Sequence, residues 1–112
     1  YDKLDKAIQA SKRGFAYLHV YSPCTTGWRF PTNQNMEVAR KAVETNFVVL
    51  WEYARGDQLR FTRPVDDPLP VTEYLKAMGR FRHLSDDQIS HIQSKVVENL
   101  AFVKQLAHVA RV

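Results

Sequence analysis

A single cysteine, Cys24, has the strongest potential for chemistry in this sequence. It lies in the loop Ser22-Pro23-Cys24-Thr25-Thr26-Gly27-Trp28, directly after a hydrophobic run that predicts a strand. Ligands and catalytic groups of open α/β sheets gather at the carboxyl ends of strands, so this position favours a functional thiol. A polar, turn-forming loop is also a poor place to bury a small hydrophobic side chain.

Three interpretations of Cys24 are open from the residues alone. The thiol is a buried structural group, as single cysteines often are. Alternatively it is a nucleophile, which needs a base, and the candidate bases are His19, His83, His91 and His108. In the third interpretation it is one ligand of a metal centre or iron–sulfur cluster. Thiolates hold such clusters in sets of four that need not be close in sequence, so the other ligands would come from outside this segment.

The segments that must position Cys24 predict a βαβ unit. Residues 2–12 predict a helix, and Gly14 follows where that helix would end. Residues 15–21 and 47–53 are rich in aromatic and apolar side chains and predict strands buried on both faces. Two such strands joined by a helix are expected to be parallel, with a right-handed crossover.

The helix of this crossover is predicted to begin near residues 33–35, where an asparagine can cap it. Its apolar stripe is expected at four positions, Met36, Ala39, Ala42 and Val43. Asn46 follows as a plausible left-handed residue that stops the helix.

The second half of the sequence predicts a hairpin followed by helices. Residues 55–57 form the expected turn into an edge strand over residues 59–62, and three prolines then make an extended connector. Residues 71–78 predict a short helix that Gly79 closes. Residues 85–88, Ser-Asp-Asp-Gln, are typical of a capping box. A long amphipathic helix follows, with apolar residues at Ile89, Ile92, Val96, Leu100, Val103 and Leu106.

Composition excludes several classes of protein. The chain has 112 residues, which is one domain at most, with 45% hydrophobic and 25% charged residues, as in ordinary globular chains. The net charge of +4 comes from scattered lysines and arginines, whereas nucleic-acid binding needs a concentrated basic patch. No apolar run is long enough to span a membrane. One cysteine excludes an internal disulfide.

Several of these motifs together resemble one family. Residues 14–24, the Thr-Gly-Trp at 26–28 and the Lys-Ala-Val-Glu-Thr at 41–45 resemble the C-terminal part of the thiamine-diphosphate-binding β subunit of 2-oxoacid:ferredoxin oxidoreductases. Pyruvate synthase is a well-known member. The resemblance continues through the Leu-Trp-Glu-Tyr at 50–53 and the residues at 71–81, and it covers about residues 5–92. The Ser-Pro-Cys-x-Thr-Gly-Trp loop is its most specific part.

The resemblance implies a partial thiamine-diphosphate-binding fold of the α/β class. The whole chain would be the C-terminal segment of one β-subunit domain, in which residues 1–63 complete the sheet and residues 64–112 form a helical tail. Members of the family oxidise a 2-oxoacid with coenzyme A and pass electrons through [4Fe-4S] clusters to ferredoxin. Cys24 matches the fourth cysteine ligand of the cluster in the β subunit. The other three cysteines, and most residues that hold thiamine diphosphate with Mg²⁺, would precede Tyr1.

The resemblance also implies other subunits as partners and a cytoplasmic location, and no catalytic residue is expected within this chain, which would be inactive alone. Pyruvate is the favoured substrate, but two departures from the pyruvate-type pattern leave other 2-oxoacids open, such as phenylglyoxylate or oxalate. Thr25 stands where such members commonly have proline, and residues 46–49 replace a more usual Gly-Tyr/Leu-Trp-Pro run. The remaining alternative is a small non-catalytic α/β binding module with an incidental Cys24.

Overall fold

The computed structural model describes residues 1–54 and 58–109, except for the side chain of Val109. The described residues form five α-helices and two short strands, with single turns of 3₁₀-helix at Thr32–Gln34 and Gly79–Phe81. In chain order the elements are α1 (Asp2–Ser11), α2 (Thr25–Trp28), α3 (Asn35–Glu44), β1 (Trp51–Glu52), β2 (Arg60–Phe61), α4 (Val71–Lys76) and α5 (Asp86–Val109).

The core lies where α4 packs between α3 and α5. From α4 and the residues just after it come the largest buried side chains, Tyr74, Leu75 and Met78, each at most 2% exposed. Val96 of α5 is buried against the same cluster, as is Phe30 from the loop before α3. Removing this apolar surface from water is the main term that stabilises such a core.

Helix α3 turns a different face to the core from the one predicted. Val38 and Ala42, together with Thr45 beyond the end of the helix, are fully buried. They are spaced at i, i+4 and i+7, which places them on one helical face. The prediction for Ala42 is confirmed. The prediction for Met36 is wrong, because its side chain is 78% exposed.

Two local predictions at helix ends are confirmed. Asn46 has a φ of 57°, which is the left-handed conformation expected of a helix-stopping residue. Its buried side-chain amide donates to the carbonyl of Val65 at 3.3 Å. At the start of α5, the backbone N–H of Ser85 donates to Gln88 Oε1 and that of Gln88 donates to Ser85 Oγ, which is a reciprocal capping box.

Helices α4 and α5 are joined by a polar contact between a side chain and the backbone. The backbone N–H of Val71, the first residue of α4, donates to Oε1 of Gln93 at 2.8 Å. This N–H has no partner within its own helix, so Gln93 satisfies a donor that would otherwise be buried without an acceptor.

The hairpin is confirmed, although its strands are short. Trp51 pairs with Phe61 and Glu52 pairs with Arg60 in an antiparallel register. The regular strand covers two residues of the predicted 47–53. The predicted turn, residues 55–57, lies outside the described residues.

Residues 15–21 do not form the predicted strand. Their backbone has no regular secondary structure, and Phe15, Tyr17 and Val20 are 92%, 74% and 69% exposed. A strand exists only when a neighbour accepts and donates its backbone hydrogen bonds. Within the described part of the chain no second strand lies beside these residues, so the predicted parallel βαβ pairing is absent. The thiamine-diphosphate-binding fold stays a prediction.

Candidate functional site around Cys24

Cys24 lies at the surface, in the position that caps the first turn of α2. The backbone N–H of Gly27 donates to its Sγ at 3.4 Å, and the N–H of Trp28 donates to its carbonyl oxygen at 2.9 Å. The turn therefore orients the thiol while leaving it accessible. The interpretation of Cys24 as a buried structural thiol is wrong, because the polar sequence of the turn keeps it at the surface.

None of the four histidines is hydrogen-bonded to Cys24 in the described structure. All four side chains are exposed, and the ring of His19 contacts Tyr17, with 6.2 Å between the ring centroids. His91 and His108 lie on α5. The arrangement of a nucleophile beside its base, which catalysis by Cys24 would need, is not present in the described chain.

Aromatic side chains hold the two ends of the Cys24 loop. Before the loop, the phenol oxygen of Tyr21 lies 2.5 Å from that of Tyr74, a fully buried residue of α4. After the loop, the ring of Trp28 packs against Tyr21 and Phe30, with centroids 5.8 and 6.4 Å apart. Burial, followed by the hydrogen bond with Tyr74, raises the pKa of the Tyr21 phenol above its ordinary value. The loop is thus attached to the core on both sides.

A second set of contacts reaches the loop from the 3₁₀ turn after α4. The backbone N–H of Gly79 donates to the carbonyl of Arg29 at 2.8 Å. The guanidinium of Arg80 lies over the ring of Trp28, 3.9 Å from its centroid. From the sequence, Gly79 was expected only to end a helix. Residues 79–81 belong to the stretch that resembles the family, but no local pattern indicates which distant residues they contact.

Several known proteins that are similar to this chain are described as enzyme subunits. No family model matches the chain. The chain is 75% identical over all of its 112 residues to the β subunit of an NADH-dependent phenylglyoxylate dehydrogenase from Aromatoleum evansii. It is 38% identical, over 96% of its length, to the ketoisovalerate oxidoreductase subunit VorB of Pyrococcus furiosus. It is 47% identical, over 85% of its length, to the pyruvate synthase subunit PorB of Methanothermobacter marburgensis.

The chain is homologous to the β subunits of 2-oxoacid:ferredoxin oxidoreductases. These relatives are components of enzymes, and they differ in the 2-oxoacid that their names give. The chain spans a quarter of the length of the phenylglyoxylate dehydrogenase subunit and about a third of the other two. Among the described residues, no helix is both long enough and apolar enough to cross a membrane.

The chemistry of this chain fits one ligand of an iron–sulfur cluster and not a complete set. Cys24 offers an accessible sulfur, the ligand atom that iron–sulfur clusters require. In residues 1–54 and 58–109, no group of three or more histidine, cysteine or acidic side chains is placed to hold a metal ion. Cys24 is the one cysteine of the sequence, so the other thiolates of a cluster at Cys24 would come from outside this chain.

Proposed function

We propose that this chain works as part of the β subunit of a 2-oxoacid oxidoreductase, in which Cys24 supplies one of the four cysteine ligands of a [4Fe-4S] cluster. The observation that carries this proposal is the 75% identity to a β subunit over the full chain, combined with an exposed Cys24. When bound, such a cluster accepts and passes on single electrons. The N–H of Gly27, which already points at Sγ, belongs to the class of hydrogen bonds that tune cluster potentials.

The exposed segment over residues 15–21 supports a larger sheet. Phe15, Tyr17 and Val20 are apolar or aromatic and mostly exposed, and contiguous exposed apolar surface in a soluble protein marks an interaction site. The curated relatives are about two and a half to four times as long as this chain. We infer that the rest of the subunit supplies the neighbouring strands and so completes the thiamine-diphosphate-binding fold, with Cys24 at the end of a buried strand.

The substrate we propose is an aromatic 2-oxoacid of the phenylglyoxylate type. Pyruvate, which the resemblance alone favours, becomes the second choice. The preference rests on identity, which is 75% to the phenylglyoxylate enzyme and 38% and 47% to the relatives named for ketoisovalerate and pyruvate. The reaction would be oxidative decarboxylation with coenzyme A. Thiamine diphosphate with Mg²⁺ supplies the stabilisation that loss of CO₂ requires, and it would be held mostly by residues outside this chain.

The same comparison bears on the choice of electron acceptor. Ferredoxin is the acceptor that the family resemblance implies, whereas the 75% identical relative is described as NADH-dependent. We therefore propose that electrons leave through further subunits to ferredoxin or to a nicotinamide. Assay of the purified enzyme with each acceptor, using phenylglyoxylate and pyruvate in parallel, identifies the pair that supports turnover.

The deciding experiment replaces the proposed ligand in the assembled enzyme. Cys24→Ser should lower iron and acid-labile sulfide by about one cluster for each β subunit, and it should remove or alter one electron paramagnetic resonance (EPR) signal while thiamine diphosphate stays bound. Ser22→Ala, an exposed change two residues away, is the matched control and should leave iron and signals unchanged. Wild-type iron and an unaltered spectrum in Cys24→Ser would exclude the ligand role, and an iron-free wild type would favour a binding module.

A further inference from the structure

One stretch of chain, from Tyr74 to Phe81, holds the Cys24 loop from both ends. Tyr74 meets the phenol of Tyr21 on the side before the loop. On the far side, α2 contacts the 3₁₀ turn Gly79–Phe81. These contacts on both sides restrict where the loop can lie, because its first end is bonded to the buried Tyr74 and its far end contacts the 3₁₀ turn that follows α4.

Gly79 makes a close contact between two backbones. Its N–H donates to the carbonyl oxygen of Arg29 at 2.8 Å. A Cβ at this position would meet the Cβ of Arg29 at 2.8 Å and its carbonyl oxygen at 2.9 Å. Arg29 ends α2 in the left-handed conformation, with a φ of 58°, so its backbone has little freedom to retreat. Only glycine therefore lets the two backbones approach in this way.

Arg80 secures the neighbouring ring. Its guanidinium lies 3.9 Å from the ring centroid of Trp28 and 4.5 Å from that of Phe81. Its Nε is buried and has no hydrogen-bond partner in the described residues. The stacking against two rings is thus the main contact that holds this cation in place. A planar guanidinium suits such stacking better than the ammonium of lysine does.

We propose that Gly79 and Arg80 are positioning residues for the Cys24 sulfur. Gly79 sets the distance between the 3₁₀ turn and the end of α2, and Arg80 fixes Trp28, the last residue of the same turn of helix. Together they hold the turn in which the N–H of Gly27 points at Sγ. The inference rests on the proposed function insofar as the sulfur is taken as a cluster ligand.

The first test changes Gly79 in the assembled enzyme. Gly79→Ala should alter the line shape and midpoint potential of the EPR signal that Cys24→Ser removes. Gly14→Ala is the matched control, since a Cβ at Gly14 meets nothing within 4 Å, and it should leave both unchanged. In parallel, a chelator removes the iron, and peptide mass spectrometry measures the rate at which iodoacetamide alkylates Cys24. This rate should rise in Gly79→Ala and stay at the wild-type value in Gly14→Ala.

The second test changes Arg80, so that the inference stays testable if Gly79→Ala does not fold. Arg80→Gln should raise the alkylation rate about two- to fivefold, which corresponds to the loss of one cation–π contact. Arg80→Lys should recover part of the difference. Arg82→Gln, an exposed arginine two residues away, is the control and should match wild type.

The outcomes separate this inference from the proposed function. An iron-free wild type, or iron that Cys24→Ser does not affect, contradicts the ligand role, and the alkylation rates then decide the positioning role by themselves. The positioning role is overturned if Cys24→Ser loses its cluster but Arg80→Gln leaves both the spectrum and the alkylation rate unchanged. Where Gly79→Ala folds, it must show the same unchanged spectrum and rate.

Discussion

The phenol oxygens of Tyr21 and Tyr74 lie 2.5 Å apart, although 53 positions separate the two residues in the sequence. Tyr74 is fully buried, and its ring also packs against Phe47, with centroids 4.6 Å apart. This contact joins the segment before Cys24 to the centre of the core. The hydrogen bond thereby couples the position of the candidate ligand to the packing of α4.

The first prediction concerns this pair at high pH. Because burial and the bond with Tyr74 raise the pKa of Tyr21 in the folded state, the unfolded chain releases this proton at a lower pH than the folded one does. The contribution of this proton to the free energy of unfolding is therefore complete below the ordinary tyrosine pKa of about 10, and it is lost as pH rises beyond that value. Urea unfolding at pH 8 and pH 11 measures the difference.

Replacing single tyrosines shows whether Tyr21 causes that pH dependence. Tyr21→Phe should cost about 1–3 kcal/mol at pH 8, because it leaves the buried Tyr74 hydroxyl without its partner. It should also show a smaller further loss between pH 8 and pH 11 than wild type does. Tyr17→Phe, which changes a mostly exposed side chain, should keep the wild-type loss. An equal loss in Tyr21→Phe and wild type would contradict the assignment.

The sequence predicted the features that depend on neighbouring residues. The left-handed Asn46 and the capping box of Ser85 and Gln88 were predicted, since each is determined within a few positions of the chain. The conformation of residues 15–21 was predicted wrongly, because a strand depends on a partner that the described chain does not contain. Apolar composition indicates that a strand can be buried, but it does not say which strand covers it.

In the candidate site too, the local features were predicted and the long-range contacts were not. The sequence predicted a polar turn at Cys24, because its proline, threonines and glycine act locally, but it left open whether the thiol is buried. The contact between Gly79 and Arg29 was missed, since it joins residues 50 positions apart. Such an approach depends on how α4 packs against the core, and the side chains that decide this packing lie on several elements.

A second prediction tests the conformation of Asn46. Asn46→Ala should destabilise the protein by about 2–3 kcal/mol, from about 1–2 kcal/mol of left-handed strain and about 1 kcal/mol for the hydrogen bond to Val65. Asn46→Gly should cost less, because glycine adopts the positive φ without strain and loses only the hydrogen bond. Thermal unfolding of the two variants beside wild type gives the order. Equal stability of the alanine and glycine variants would show that the backbone conformation contributes nothing.

The third prediction concerns the start of α5. Ser85→Ala removes the hydroxyl that accepts the N–H of Gln88, and it should cost about 1 kcal/mol. Ser90→Ala is the matched control, since Ser90 is exposed within the same helix and alanine has the higher helix propensity. The two changes are identical in chemistry and should have opposite signs, because one residue caps the helix and the other lies inside it. Denaturant unfolding of both variants measures the difference, and a similar small effect at both positions would mean that the capping box does not stabilise α5.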